Sequence, residues 1–485
     1  MSLGNLSLDT ASFEFVLFGL IAALASNVGR SRVWRSAVLL CMSFVFLFSL
    51  ARGITLLWPI AAFLLLGFCG LLAIGRDFRN AAIMSVSAVI MAYIWLKKYT
   101  FLPKELFLNS PYLTVGVSYI FFRVLHLLIE AGDRREHRRI GAGAYLLYTT
   151  NFTTLVSGPI QPYDEFARDQ FAAEPLPLGP RVIGLQLERL IRGFFKVNVL
   201  GVLLLSFHHD ALARVSQPLP MELKIFSAAE IGALYPFFLY ANFSGYIDIV
   251  MALARLMRLR LPENFDRPFS ASSFLDFWNR WHITLSTWFK HYVYNPLLLA
   301  LMRRISSPTL QPLLGVVCFF VTFFLVGIWH GRTSEFVVFG VLQGGGISLN
   351  KLWQLGLGRL MCRKGYQTLA HNPLYEAFGR GLTFSWFAFT LSWLWADWSE
   401  IDLVFRAIGA VRWLGVWLAI WLLATVFLGL WERLRSALLS IRTAEGPVLA
   451  SRYARMVYAS ALGLVAFVMT VLLNQPAPGI VYKAF

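Results

Sequence analysis

The chain has 485 residues, of which 58% are hydrophobic and only 14% charged, with a mean hydropathy of +0.63. A soluble protein of ordinary composition is about 25% charged, so these values exclude one and point to a polytopic membrane protein. The net charge of +17 would suit a nucleic-acid binder, but the cations sit in short loops beside apolar runs, where they orient a membrane chain. Nucleic acid is not an expected partner.

In chain order the apolar runs are Phe13–Val28, Val33–Leu50, Ile54–Ile74, Ala81–Leu96, Tyr112–Glu130, Leu185–Phe207, Phe226–Met257, Leu310–Trp329, Phe336–Leu352, Leu382–Trp395, Leu403–Leu430 and Val457–Leu473. Judged against the ~20 residues that cross a bilayer, they make roughly 11–13 membrane helices, some of them re-entrant or interfacial. The runs are continuous and do not alternate, which excludes a membrane β-barrel. The fold class is all-α. Arg30, Arg32 and Arg35 follow the first run, Arg76 and Arg79 the third, and Gly132–Arg139 ("GDRREHRR") the fifth; Arg433–Arg455 precedes the last. Basic loops of this kind face the cytoplasm, which puts both termini outside. Lys97, Lys98 and Lys104 would then lie in an outer loop, against the trend. The first run has no basic n-region and no small-residue cleavage site, so no cleavable signal is expected. Cys41, Cys69, Cys318 and Cys362 are scattered, with neither metal-ligand spacing nor a disulfide framework. They read as small packing residues.

Residues 1–110 and 401–485 are plain spans, whereas 112–400 carry the polar, aromatic and Gly/Pro interruptions. Backbone that leaves the helix at membrane depth must be buried in protein or line a wet cavity, so the catalytic core of a single membrane domain is expected in 112–400. Thr153–Phe166 ("TTLVSGPIQPYDEF") reads as a re-entrant or interfacial turn, or as a plain interhelical loop. In Tyr240–Pro268, Asp248 is an acid within an apolar helix, which demands a partner or a cavity. Arg255, two turns on, is a candidate partner, and a structural ion pair is the simpler reading. Pro262 ends that helix. Asp276–Pro296 ("DFWNRWHITLSTWFKHYVYNP") puts Trp278, Trp281, His282, Leu285, Trp288 and Phe289 at helical spacing, with Asn279, Arg280, Ser286, Thr287 and Lys290 opposite. It reads as one amphipathic helix at an interface or a cavity, begun by Asp276 in its first turn. In Phe323–Gly346 an apolar run ends in Gly327-Ile328-Trp329-His330-Gly331. A lone His at a helix end is more often structural. Here a second Trp-His pair stands 48 residues after Trp281-His282, which favours a site.

These motifs resemble those of the membrane-bound O-acyltransferases, in particular the bacterial branch with alginate O-acetyltransferase and the teichoic-acid D-alanyl transfer protein. The pattern comprises Phe-Ser-Gly-Tyr-x-Asp (Phe243–Asp248), Leu-Pro-Glu-Asn-Phe (Leu261–Phe265), Phe-Trp-x-Arg-Trp-His-x-x-Leu-Ser-x-Trp-Phe (Phe277–Phe289) and Gly-x-Trp-His-Gly (Gly327–Gly331). The resemblance is dense over Tyr240–Leu342 and looser from Val115. It implies a fold with a central tunnel, with His330 catalytic at its neck and His282 a second functional histidine on a cytoplasmic funnel. Trp278, Trp281, Ser286, Trp288, Trp329, Asn242, Ser244, Asp248 and Asn264 would line funnel or tunnel. An acyl thioester, on a phosphopantetheine carrier protein or coenzyme A, would enter from the cytoplasm of a bacterial cell. The acceptor hydroxyl, on an extracytoplasmic polysaccharide, teichoic-acid-like polymer or partner transferase, would arrive from outside. No bound cofactor or metal is implied. The chain departs from the family at Lys290-His291-Tyr292 and Arg332-Thr333-Ser334, which leaves donor and acceptor open.

The chemistry suits the residues. A neutral imidazole can take the proton of an attacking hydroxyl, and burial favours that neutral form. Trp329 and the Asn or Ser groups near Phe243–Asp248 are candidate oxyanion donors. No nucleophilic Ser or Cys motif is evident, so direct transfer is preferred to an acyl-enzyme. A transporter or flippase of an envelope precursor and an inactive scaffold are the alternatives; no paired half-repeats support the first, and both histidines argue against the second.

Overall fold

A computed structural model describes residues 12–51, 54–108, 112, 114, 116–443, 446–447, 451–473 and 475–479. Both chain ends and Val115 lie outside the described residues. The chain starts with α1 (Phe13–Val28), α2 (Arg32–Ala51), α3 (Trp58–Gly75), α4 (Ala81–Leu96), α5 (Val117–Asp133), α6 (Ala142–Thr149), α7 (Tyr163–Gln170) and α8 (Pro180–Phe195). A π-helical turn, Lys196–Gly201, leads into α9 (Val202–Ser216), and α10 (Met221–Leu256) follows. Next come α11 (Phe274–Trp278), α12 (Ile283–Phe289), α13 (Asn295–Arg304), α14 (Gln311–His330), α15 (Ser334–Leu360), α16 (Cys362–Ala370) and α17 (Pro373–Trp395). The last three are α18 (Trp398–Ile408), α19 (Ala410–Ser440) and α20 (Arg452–Leu473). Among the described residues seven helical segments are long and apolar enough to cross a membrane, including α2, α10, α14, α19 and α20. The all-α polytopic fold follows from the same physics: in lipid each backbone polar group must be satisfied within its own helix.

Two compact units divide the chain: residues 1–198, 242–262 and 466–485 form one, and residues 199–241 and 263–465 the other. In the first unit, Thr153–Pro162 is irregular backbone, buried from Thr153 through Gln161, and Tyr163–Phe166 open α7. Buried Arg123 of α5 donates to the carbonyls of Tyr148 (3.1 Å), Thr149 (3.0 Å) and Thr154. One guanidinium thus satisfies three acceptors that no helix serves. Gly193 of α8 and Gly245 of α10 let the two backbones touch: a Cβ on Gly193 would lie 2.6 Å from the Gly245 carbonyl oxygen. The contact brings Asp248 to Arg189 (2.9 Å), Lys196 (2.8 Å) and Arg192 (3.4 Å).

Arg255 is not the partner of Asp248; it donates to the Pro177 carbonyl at 2.7 Å. Helix α10 stops at Leu256, six residues short of Pro262, and Arg258 just beyond adopts a positive φ of 66°. Of the four cysteines, all free, only Cys318 is buried, so packing does not account for the other three.

In the second unit α14 and α15 form a tight antiparallel pair. A Cβ on Gly327 would meet Gly340 Cα at 2.1 Å, and one on Gly344 would meet the Phe320 carbonyl oxygen at 2.6 Å. Lipid offers no hydrophobic drive between helices, so close backbone packing through small residues is what holds such a pair.

Candidate active site

Asp276–Pro296 is not one helix. Helix α11 starts from Ser273, whose hydroxyl caps the Asp276 N–H, and ends five residues on at Trp278. His282 then takes a left-handed backbone, φ 45° and ψ 51°, before α12 begins. The break has a local cause. Strand-like residues Asn264–Asp266 pair with Arg280–Ile283: the Asp266 N–H donates to the Arg280 carbonyl (2.9 Å), and the Ile283 N–H to the Asn264 carbonyl (3.0 Å). Spacing alone favours a continuous helix; tertiary hydrogen bonds override it. A non-glycine residue at positive φ costs energy and is enriched at functional sites.

The Asn264 side chain, fully buried, organises this turn. Its Oδ1 accepts from the Thr284 N–H (3.1 Å) and the Thr284 hydroxyl (2.8 Å), and faces His282 Nδ1 at 3.2 Å. A backbone N–H can only donate, so the atom facing it is the amide oxygen. His282 Nδ1 therefore carries the proton and Nε2 the lone pair. Burial, and then the neighbouring His330, hold this imidazole well below the ordinary histidine range. It is a neutral ring in one tautomer.

His330 ends α14 and is also buried. Its ring lies 4.8 Å from that of Trp329 and 5.7 Å, edge-on, from Phe339. The two histidines are close enough that a charge on His330 disfavours one on His282. Trp281 packs on Phe277 (5.6 Å), Phe265 (5.1 Å) and Phe387 (5.0 Å). Trp278 packs against Phe323 of α14 at 4.9 Å, and Trp288 lies 4.9 Å from Tyr292. The Ser286 hydroxyl is buried without a hydrogen-bond partner among the described residues.

The second unit thus brings together His282, His330, Asn264, Trp278, Trp281 and Trp329 by these contacts. Asn242, Ser244 and Asp248 belong to the first unit. There Lys196 joins Ser244 (3.2 Å) to Asp248, and Asn242 donates to the Pro478 carbonyl (3.3 Å).

Thr284 escaped the sequence reading, since nothing in "HIT" shows that its donors converge on Asn264. Gln343 also escaped it. Its amide donates to Thr390 Oγ1 (2.9 Å), while Oε1 is buried with no partner among the described residues. It stands one turn beyond Phe339, the His330 neighbour, and that i, i+4 spacing was its only signal. No group of three or more potential metal ligands occurs among the described residues.

His282 makes a pH prediction. In the unfolded chain its imidazole binds a proton below about pH 6.5. Folded, it resists protonation, so the unfolded state binds more protons and stability falls on acidification, by at most ~1.4 kcal/mol per pH unit. The His282→Gln protein should lose less thermal stability than the parent between pH 7 and pH 5. Parallel melting curves for the two would disprove a neutral, buried His282.

The sequence model of the family described as MBOAT, membrane-bound O-acyltransferase, matches residues 78–368. Similar proteins include one named "Teichoic acid D-alanyltransferase" from Streptococcus thermophilus, 28% identical over 56% of this chain and 65% of the relative. Another, "Probable alginate O-acetylase" from Pseudomonas fluorescens, is 30% identical over 50% of this chain and 46% of its own length. A "Peptidoglycan O-acetyltransferase" from Helicobacter pylori is 29% identical over 43% of this chain and 37% of its own. The chain therefore spans between about a third and two thirds of these relatives. The family match takes in the buried histidine pair, the Asn264 turn and the α14–α15 hairpin, and it runs over more than half of the chain: this protein belongs to the membrane-bound O-acyltransferase family.

Proposed function

We propose that this protein is an acyltransferase that moves a D-alanyl or acetyl group from a cytoplasmic thioester to an acceptor hydroxyl on the outer side of a bacterial cytoplasmic membrane. The observation that carries the reading is a buried histidine held in one neutral tautomer by Asn264 and Thr284, beside a second buried histidine, His330. The names of similar proteins supply the two acyl groups. The acceptor is a hydroxyl-bearing envelope polymer or a partner transferase.

In the proposed reaction His330 takes the acceptor's proton as its oxygen attacks the thioester carbonyl. The tetrahedral intermediate collapses by breaking the C–S bond. The proton on the imidazolium goes to the departing thiolate, giving thiol and ester. General-base help of this kind contributes about 10²–10⁴-fold. His282 positions the donor, and Trp329 and the amide groups nearby are the candidate oxyanion donors. The reaction is assigned to the chain as one membrane domain, with both termini outside.

The test is purified protein in lipid nanodiscs given acetyl and D-alanyl thioesters, on carrier protein and on coenzyme A or its phosphopantetheine analogue. Label appearing in ester linkage on an added polyol or envelope polymer supports the reading. Solute flux without ester formation would replace it with transport.

Donor delivery should be electrostatic. Arg303 and Arg304 are exposed at the end of α13, and carrier proteins and coenzyme A are anionic. Steering by such charges is screened beyond about 8 Å at physiological ionic strength. Raising salt, or reversing both arginines to glutamate, should therefore raise the donor KM and leave kcat nearly unchanged. A KM indifferent to both would leave these arginines a topological role only.

A further inference from the structure

The second unit holds a cavity of about 820 Å³ walled by α15, α16, α17 and the start of α11. Leu349, Trp353, Leu357, Phe378 and Trp386 are among its lining, and none of its lining residues is charged. Gly346 and Trp386 mark one end, Leu360 and Tyr366 the other. From Gly346 to Leu360 the helix rises about 21 Å, close to the ~20–22 Å of one membrane leaflet with its headgroups.

The two ends differ in chemistry. Beside Leu360 and Tyr366 stand Arg359 and Lys364, both exposed, with Glu376 the nearby acid in the first turn of α17. At the far end Trp386 closes against Gly346, where a Cβ would lie 2.1 Å from the indole Nε1, and no charged residue lines the cavity there. Around the mouth Leu349, Trp353, Leu360 and Phe378 are exposed, the surface of an element bathed in hydrocarbon rather than water.

We propose that this cavity is a binding site for an anionic phospholipid, one acyl chain lying along α15 and the phosphate beside Arg359 and Lys364. Length, uncharged lining and a cationic end match that ligand together, and no single one of them would suffice. The occupant would also bear on the histidine turn. Phe274 lines the cavity and stacks in parallel on Phe277 (5.9 Å, 6°), which stacks on Trp281 (5.6 Å, 14°). Asn350 of the same wall accepts the Leu275 N–H at 3.2 Å.

Two glycines provide the test. A Cβ at Gly356 or at Gly358 meets nothing within 4 Å, and only Gly356 lines the cavity. Full-length protein in nanodiscs would be photolabelled with phosphatidylglycerol carrying a diazirine in its acyl chain. We expect labelled peptides concentrated in residues 346–360 and 374–386. Gly356→Phe should cut that labelling at least five-fold and Gly358→Phe should not. Should Gly356→Phe fail to fold by its melting curve, Gly356→Leu is the milder variant with the same expected direction. Arg359→Gln with Lys364→Gln should abolish the preference for phosphatidylglycerol over a phosphatidylcholine probe. Labelling spread evenly over all lipid-facing helices, or unchanged by either Gly356 variant, would reduce the cavity to ordinary lipid contact and overturn the site. Equal labelling by both probes in the parent protein would overturn the anionic headgroup.

Discussion

His330→Ala should leave a folded membrane protein with acyl transfer lowered by about 10³-fold or more, within the reach of a lost general base. The side chain is buried at the last position of α14, and removing it opens a small void beside Trp329 and Phe339. The fold should therefore survive while the chemistry does not. His282→Ala should be less severe, because its assigned part is to hold the donor rather than to move the proton. Single-turnover rates on matched amounts of monodisperse protein decide the matter. Activity of His330→Ala within a few-fold of the parent removes it as the base; a greater loss in His282→Ala exchanges the two roles.

The second large effect is expected at Asn264. Alanine there removes the acceptor of three buried donors at once: Thr284 N–H, Thr284 Oγ–H and His282 Nδ1–H. Each stranded donor costs about 1–3 kcal/mol, so Asn264→Ala should melt well below the parent and lose about 10²-fold or more in rate. Thr284→Val strands fewer groups and should cost less in both. Asn264→Asp separates architecture from chemistry. A carboxylate still accepts from Thr284, but its charge favours the imidazolium, so much of the stability should return while the rate does not. If Asn264→Asp restored the parent rate, the neutral tautomer would have no part in catalysis.

Much of this was legible in the sequence. Apolar runs located several helices closely, because length and hydropathy are set by one bilayer; Phe13–Val28 and Ala81–Leu96 agree to the residue, whereas Leu382–Trp395 misses the first nine residues of α17 and Leu403–Leu430 straddles α18 and α19. The two Trp-His pairs and Asn264 were legible as candidates. Other features were not. The break at His282 depends on pairing with residues 264–266, which no local period records, and Trp278 to Phe289 fit a helix equally well. The cations around Asp248 come from α8 and the π-helical turn that follows it, more than fifty residues earlier; the search along α10 itself found Arg255, on the right face but bound elsewhere. Arg123 was passed over because a cation inside an apolar run looks like an interruption until the carbonyls it serves are in place.

The glycine seam between α14 and α15 has a consequence for how the protein can vary. With Gly327 against Gly340 and Gly344 against Phe320, the hairpin has no side-chain cushion to absorb change, so the pair acts as a ruler that fixes where His330 falls. A single added methyl at Gly327 would lengthen that ruler without touching substrate. A misplacement of about 1 Å at a reacting group can cost ~10²-fold in rate. Substrate range can therefore drift through the loops and rims of this protein, while the seam stays the datum from which every other distance in the site is measured.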